Sequence, residues 1–132
     1  MIHETFIEVA EDCPAVRAEI PPARDSRPTK AAIEYELIAG EPYALTEEEV
    51  AFRTRAVMRD IPEAEWPAER DRFLSQKKPR LRVSALAQRY GWGIHIDSLG
   101  RVALVAVESP EYQRLAADRA LRHVRAFRTK RA

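Results

Sequence analysis

Three side chains of the types used in acid–base or nucleophilic chemistry occur beside predicted strands: Glu8, Cys13 and His95. A carboxylate next to an imidazole is the smallest unit that can transfer a proton or begin a metal site. If the first strand pairs near the strand that carries His95, Glu8 and His95 could meet on one face of the sheet. The alternative is an ordinary structural hydrogen bond on a half-exposed sheet face.

Cys13 is the only cysteine, which excludes an internal disulfide and a zinc site built from several cysteines. A nucleophilic thiol needs a nearby cation, histidine or helix N-terminus to favour the thiolate. The acidic neighbours Glu11 and Asp12 disfavour the thiolate, so a packed thiol is the alternative to a nucleophile. The chain lacks paired-histidine spacing and a glycine-rich phosphate loop, so we expect no metal and no cofactor.

The stretch from Arg89 to His95 indicates a different chemistry, the binding of a base, a sugar or an anion. Tyr90 and Trp92 bracket Gly91, and together with Arg89 they could form an aromatic wall. The glycines of this stretch share a strand face with His95, which would leave a shallow groove beside the imidazole. The alternative is that both rings belong to the core or its rim.

Basic side chains are concentrated in the linker 76–82 and at the C-terminus. Arg80 and Arg82 would point the same way if the linker is extended. If the linker and the C-terminal segment meet in space, they form an anion-binding patch; the alternative is a solvent-exposed face. The predicted ligand-binding residues are Tyr90, Trp92, His95, Arg80, Arg82 and Arg89. The other basic residues of this set are Lys77, Lys78, Arg119, Arg122, Arg125, Arg128, Lys130 and Arg131.

The net charge of +1 hides an uneven distribution along the chain. Residues 1–50 carry 12 acidic and 4 basic side chains, a net charge of −8. Residues 51–100 have a net charge of +4 and residues 101–132 a net charge of +5. The balanced total argues against a uniformly polybasic nucleic-acid binder but leaves room for a local anion site. The two halves either form a bipolar surface or pack together so that their charges pair.

The elements that would position these residues begin with helices marked by capping signals. Thr29, Thr46, Ser84 and Ser109 are N-cap candidates, and Thr46 with Glu49 forms a capping box. Pro110 suits the first helical position after Ser109. The predicted helices run over 29–38, 46–59, 63–75, 84–89 and from Ser109 onward.

The strands are predicted from runs of alternating or β-branched residues. We expect strands over 4–10 and 122–129 and a hairpin over about 91–107, with Gly100 in its turn. The four prolines of residues 13–28 predict an extended loop, which either lies against the core through Val16 and Ile20 or is partly mobile. The fold class is α+β: a sheet of about four strands, at least partly antiparallel, with the hairpin central and helices packed on one face.

Two motifs carry a resemblance to a known family. Thr5–Pro14 (TFIEVAEDCP) and Arg89–His95 (RYGWGIH) resemble segments of a family of short bacterial proteins classed as a domain of unknown function. The Pro42–Tyr43 pair and the Arg128–Arg131 end are also similar, so the resemblance covers nearly the whole chain. It implies a bacterial, stand-alone protein of one domain, and it assigns no activity to any residue.

The chain of 132 residues fits a single domain, 1–132. Its longest apolar run, Val102–Val107, has 6 residues, far fewer than the roughly 18 that cross a bilayer. The N-terminus lacks the features of a secretory signal, so we expect a cytoplasmic protein without a membrane partner. The predicted function is a binding or accessory module for an anionic ligand, a nucleic acid or an acidic protein. The alternative is a small enzyme with a site around Glu8, Cys13 and His95.

Overall fold

A four-stranded mixed sheet lies at the centre of the computed structural model, which describes residues 3–22, 28–76 and 80–129. The strands are β1 (Thr5–Glu8), β2 (Trp92–Ile96), β3 (Val102–Ala106) and β4 (Arg122–Arg125). Their order in the sheet is β3–β2–β1–β4. β2 pairs antiparallel with β3 and with β1, whereas β4 is parallel to β1. The predicted α+β class, the hairpin and the strand near the C-terminus are confirmed.

The two terminal strands pair with each other, because β1 inserts between the hairpin and β4. The register sets Ile7 beside Ile94 on one side and beside Val124 on the other. The hairpin turns through Gly100, whose φ of +83° lies in the left-handed region that glycine adopts without strain. The N-terminal and C-terminal segments thereby form one structural unit.

Five α-helices pack around the sheet in the described part of the chain, and four of them begin at the predicted capping residues. The Thr29 and Thr46 hydroxyls accept hydrogen bonds from the backbone N–H groups of Ala32 and Glu49, at 3.1 and 3.2 Å. Ser84 and Ser109 cap their helices in the same way. The helices are α1 (Lys30–Gly40), α2 (Glu47–Met58), α3 (Trp66–Leu74), α4 (Ala85–Gln88) and α5 (Pro110–Ala117).

Two details of the helices differ from expectation. The Glu49 carboxylate, expected to complete the capping box, instead accepts two hydrogen bonds from the Arg70 guanidinium at 2.9 and 3.3 Å. This bidentate contact ties α3 to α2. The predicted helix 63–75 begins with a 3₁₀ turn, Glu63–Glu65, before α3.

The helices α1, α2 and α4 belong to one side of the sheet, and α5 covers the other. The larger core contains buried side chains from β1, β2 and these three helices. The smaller core packs Phe6 of β1 and Val105 of β3 against Leu115 of α5 and the nearby Leu121. The expectation of helices on one face therefore holds except for α5, which must cover Phe6 because β1 is apolar on both faces.

The loop after β1 does not bury its two apolar side chains. Val16 and Ile20 are 85% and 70% exposed. The loop is instead held to the segment just before β2 by the Glu19 backbone, whose N–H donates to the Tyr90 carbonyl at 2.8 Å. Residues 23–27 of the predicted loop lie outside the described part of the chain. None of the described helices is long and apolar enough to cross a membrane.

Candidate functional site

The imidazole of His95 lies in a row of three hydrogen-bonded side chains. Its Nε2 is 3.0 Å from Oε2 of Glu4, and its Nδ1 is 2.8 Å from the Tyr43 hydroxyl. Phe6 is the register partner of His95, so Glu4, two residues earlier in the chain, lies on the same sheet face. The predicted carboxylate–imidazole pair is present, but its carboxylate is Glu4.

Glu8 pairs with residues of β4 instead. Its carboxylate lies 3.7 Å from Nδ1 of His123 and 4.0 Å from the Arg125 guanidinium. Glu8 and His95 share a sheet face, as the sequence predicted, but they have different partners. Alternation within a strand fixes the face of a side chain, whereas the partner depends on register between strands that are distant in sequence.

The donor order in the row follows from the chemistry of its two ends. A carboxylate can only accept, so in a neutral imidazole the N–H group is on Nε2 and donates to Glu4. Nδ1 then accepts a hydrogen bond from the Tyr43 hydroxyl. Burial, followed by the negative charges of Glu111, Asp97 and Glu4, raises the pKa of that hydroxyl, which keeps it protonated. This arrangement holds the loop that contains Tyr43 to the sheet.

Cys13 contacts apolar groups and its own turn. Its side chain is half-buried and packs against the larger core. Its Sγ lies 3.9 Å from the Ala15 carbonyl oxygen, which matches the weak donor behaviour of a thiol. These contacts fit a packed thiol.

The two predicted binding aromatics lie at the rim of the core. The Trp92 indole N–H donates to the Glu19 carbonyl at 2.8 Å, and its ring centroid is 5.5 Å from that of Tyr35. Trp92 packs against the larger core, on the sheet face opposite His95. Tyr90 packs against the same core. The structure does not bring Tyr90, Trp92 and His95 together on one surface.

Arg80, Arg82 and Arg89 line three different cavities. The chain forms a 3₁₀ turn over Leu81–Val83, so Arg80 and Arg82 diverge instead of pointing the same way. The Arg80 guanidinium stacks 4.2 Å from the Phe73 ring, and that of Arg82 stacks 4.5 Å from Phe127. The six predicted ligand-binding residues therefore do not form one site.

The linker and the C-terminal segment do meet in space. The Phe127 N–H donates to the Arg82 carbonyl at 2.9 Å, and Nε of Arg82 donates to the Arg125 carbonyl at 2.9 Å. These contacts place Arg82 beside β4. Four members of the predicted basic set lie outside the described residues: Lys77, Lys78, Lys130 and Arg131.

A cavity of about 420 Å³ lies among α1, α2, α3 and the 80–83 segment, and we call it the helix cavity. Four cationic side chains line it: Lys30, Arg55, Arg59 and Arg80. Phe73 and Met58 add an apolar wall. Within the described ranges, the first three of these cations form no ion pair.

Among the described residues, a single carboxyl group lines the helix cavity, that of Glu34, which is only 3% exposed. Its Oε1 accepts a hydrogen bond from the Ser84 hydroxyl at 2.7 Å. Burial raises the pKa of the Glu34 carboxyl, against the opposing effects of the Ser84 hydrogen bond and the Lys30 charge. The carboxyl group therefore loses its negative charge at a higher pH than an exposed glutamate does, and the charge around the cavity becomes more positive when it is protonated.

Sequence reasoning missed this site because most of its charged residues lie outside the linker 76–82 and the C-terminal segment, where the anion-binding patch was predicted. Lys30 and Glu34 belong to the acidic first 50 residues, and Arg55 and Arg59 lie on a helix that begins with three glutamates. The available signal was spacing. Lys30 and Glu34, and likewise Arg55 and Arg59, are four residues apart and therefore share a helix face.

The fold and the helix cavity together define an α+β protein that presents a positively charged cavity beside a mixed sheet. The chain belongs to a family of unknown function, DUF6157, whose family model matches residues 1–132. This match agrees with the resemblance found in the sequence. Neither a curated protein nor a solved structure matches the chain.

Proposed function

We propose that this protein is a small binding or accessory module that holds an anionic ligand in the helix cavity. The carrying observation is that, among the described residues, four cationic side chains and a single carboxyl group line one cavity, so positive charge is in excess there. Arginine pairs well with phosphate and carboxylate groups because its planar fork donates two parallel hydrogen bonds. We further propose a bacterial, cytoplasmic protein of one domain, in line with the family resemblance and the sequence.

The dimensions of the cavity support a compact ligand. A volume of about 420 Å³ falls in the lower part of the range of roughly 300–1,000 Å³ that small-molecule sites occupy. Phe73 and Met58 could contact an apolar part of the ligand. A nucleic acid or an acidic protein would be expected to use a longer or flatter basic surface, so we favour a small organic anion such as a phosphate ester.

The proposal is tested with phenyl phosphate, whose phosphate and ring would meet the cations and the apolar wall. We expect phenyl phosphate to shift the amide NMR signals of residues 51–59, more weakly at high salt. The Arg55→Gln/Arg59→Gln variant should bind at least about tenfold more weakly, the equivalent of 1.4 kcal/mol. An Arg114→Gln/Arg119→Gln control makes the same charge change on the other side of the sheet.

Two results would count against the proposal. Equal weakening in both double variants would indicate a general effect of net charge instead of a site. Tight binding of a labelled single-stranded oligonucleotide at low salt, with no response to phenyl phosphate, would favour a nucleic-acid partner.

The second candidate is a small enzyme, and the Tyr43–His95–Glu4 row is the observation that favours it. A histidine between a hydroxyl and a carboxylate is an arrangement used for proton transfer. The test is hydrolysis of p-nitrophenyl acetate and p-nitrophenyl phosphate. Activity that His95→Gln abolishes and His123→Gln retains would support it, and equal rates in the two variants would oppose it.

A further inference from the structure

A second cavity, of about 330 Å³, lies on the sheet beside β4, and we call it the sheet cavity. The segment 80–83 lies between the two cavities: Arg80 and Val83 line the helix cavity, and Arg82 lines the sheet cavity. The other residues that line it are His3, Thr5, Ile7, Glu47, Ile96, Arg122 and Val124.

The floor of the sheet cavity is apolar because three adjacent strands contribute side chains from one face. Ile7 is the register partner of Val124, and Ile96 is the register partner of Thr5. Register partners share a sheet face, so these side chains form one continuous surface. The hydroxyl of Thr5 donates its hydrogen to the His3 carbonyl at 2.9 Å, so that hydrogen is not directed at a ligand.

Two of the residues that line the cavity, Arg82 and Arg122, supply positive charge. Arg82 is held in place, because its Nε donates to the Arg125 carbonyl and its guanidinium stacks on Phe127. Its terminal N–H groups donate no hydrogen bond to any of the described residues. Arg122 forms no ion pair with any carboxylate of the described residues.

Glu47 distinguishes the sheet cavity from a simple anion site. Its Oε2 accepts a hydrogen bond from the Leu81 N–H at 2.9 Å, which fixes the carboxyl group in the cavity wall. Burial raises the pKa of the Glu47 carboxyl. A ligand ammonium group beside it would favour the ionised form, and a second ligand anion would be repelled by it.

We propose that the sheet cavity binds a small zwitterion of the α-amino-acid class with an apolar side chain. The ligand carboxylate meets Arg82 and Arg122, the ammonium group meets Glu47, and the apolar body rests on Ile7, Ile96 and Val124. Cations, one acid and an apolar floor in one cavity match the three parts of such a molecule. The inference goes beyond the anion proposed for the helix cavity, because both the cavity and the ligand chemistry differ.

The test compares L-leucine with two probes that each lack one charged group. The first probe, 4-methylpentanoate, lacks the ammonium group, and the second, 3-methylbutylamine, lacks the carboxylate. In amide NMR titrations we expect L-leucine at millimolar concentration to shift the signals of Thr5, Ile7, Ile96 and Val124. Both probes should bind at least about tenfold more weakly, because each leaves one charged wall of the cavity without a partner.

Variants assign the two charged contacts. Arg122→Gln should weaken binding of L-leucine and of 4-methylpentanoate alike, with Arg119→Gln as the control. Glu47→Gln should remove the preference for L-leucine over 4-methylpentanoate, with the exposed neighbour Glu48→Gln as the control.

Three outcomes would overturn the proposal: no shifts with L-leucine, equal binding of L-leucine and 4-methylpentanoate, or a preference that survives Glu47→Gln. The Arg55→Gln/Arg59→Gln variant should keep its response to L-leucine. Failure at the helix cavity and failure at the sheet cavity are therefore distinguishable in the same set of proteins.

Discussion

At the scale of single residues, Glu34 makes the charge of the helix cavity depend on pH. Its carboxyl group is buried against Ser84, and burial raises its pKa. The group therefore becomes neutral at a higher pH than an exposed glutamate does. When it does, the four cations around the cavity lose the negative charge that opposes them.

The raised pKa of Glu34 makes the stability of the protein depend on pH. Below the ordinary carboxyl value of 4.5, Glu34 is protonated in both the folded and the unfolded chain. As pH rises above it, the unfolded chain ionises first, so the folded state loses relative stability until the pH passes the folded pKa. We expect Glu34→Gln to lack this loss, so its melting temperature should rise relative to wild type as the pH increases above 4.5.

Thermal unfolding at several pH values measures this difference. The matched control is Glu36→Gln, an exposed glutamate on the same helix, whose curve should run parallel to that of the wild type. If Glu34→Gln also runs parallel to wild type, the buried carboxyl does not hold its proton beyond the ordinary range.

The hydroxyl of Tyr43 provides a second prediction at this scale. Tyr43→Phe removes the hydrogen bond to Nδ1 of His95 and leaves the imidazole half-satisfied, so we expect a loss of about 1 kcal/mol in unfolding free energy. Urea unfolding measures it, with Tyr35→Phe as the control, because the Tyr35 ring packs on Trp92. ¹⁵N NMR of the imidazole should show the Nε2–H tautomer in wild type. An Nδ1–H tautomer would contradict the proposed donor order.

At the scale of elements, the contact of β2 with α5 depends on the absence of a side chain at Gly93. A Cβ there would lie 2.7 Å from Cε2 of Tyr112 and 2.9 Å from Cζ of Phe6. Both rings are held, since the Tyr112 hydroxyl accepts from the Val9 N–H at 3.0 Å and Phe6 is fully buried. The edge-to-face packing of the two rings therefore requires glycine at this position of β2.

We expect Gly93→Ala to destabilise the protein by about 1–3 kcal/mol through overpacking. Gly40→Ala is the matched control, because a Cβ at that helical position meets no atom within 4 Å. Alanine in place of a helical glycine should stabilise by up to about 1 kcal/mol. Chemical denaturation of the two variants should therefore give shifts of opposite sign. A shift of the same sign would mean that the rings move aside at little cost.

The elements themselves were largely predictable from the sequence because their signals are local. Caps such as Thr46 and Ser109 bond to an N–H three residues ahead, and Gly100 marks a turn four residues long. The pairing of β1 with β2 and β4 was predictable only in outline. It depends on contacts across more than 80 residues, which no short pattern encodes.

The candidate sites were less predictable for the same physical reason. The carboxylate beside His95 is Glu4 instead of Glu8. The two glutamates flank Phe6, the register partner of His95, on the same sheet face, so alternation along the strand could not distinguish them. Arg80 and Arg82 reach different cavities because of a 3₁₀ turn where an extended linker was expected. Glu34 gave no sign of burial, since Glu36, the other glutamate of helix α1, is exposed.

At the scale of the whole molecule, the acidic and basic parts of the sequence are paired in space. Glu8 contacts His123 and Arg125, and Glu11 lies 4.0 Å from Arg128. The Asp12 carboxylate, next in the chain, accepts from the Thr129 N–H and hydroxyl. The parallel pairing of β1 with β4 sets the acidic N-terminal segment against the basic C-terminal one. Charges that are separated along the sequence are therefore close to charges of opposite sign in the folded protein.

This arrangement makes β4 a structural part of the molecule and not a charged tail. Truncation after Leu121 removes two backbone hydrogen bonds, which the N–H groups of Arg122 and Ala126 donate to the Glu4 and Glu8 carbonyls. It also removes the buried side chain of Ala126. It also uncovers Ile7 where Val124 had paired with it. Losing the burial of one or two apolar side chains costs about 3 kcal/mol, so we expect the melting temperature to fall by more than about 10 °C.

Calorimetry and hydrogen exchange test this prediction together. The truncated chain should lose exchange protection in β1, the strand that β4 covers, before it loses protection in the hairpin of β2 and β3. Deletion of 130–132 alone is the control, because it removes two charges of the basic end and leaves β4 complete. If both deletions lower the melting temperature equally, the basic end stabilises the molecule through charge. If neither does, the pairing of β1 with β4 contributes little to the fold.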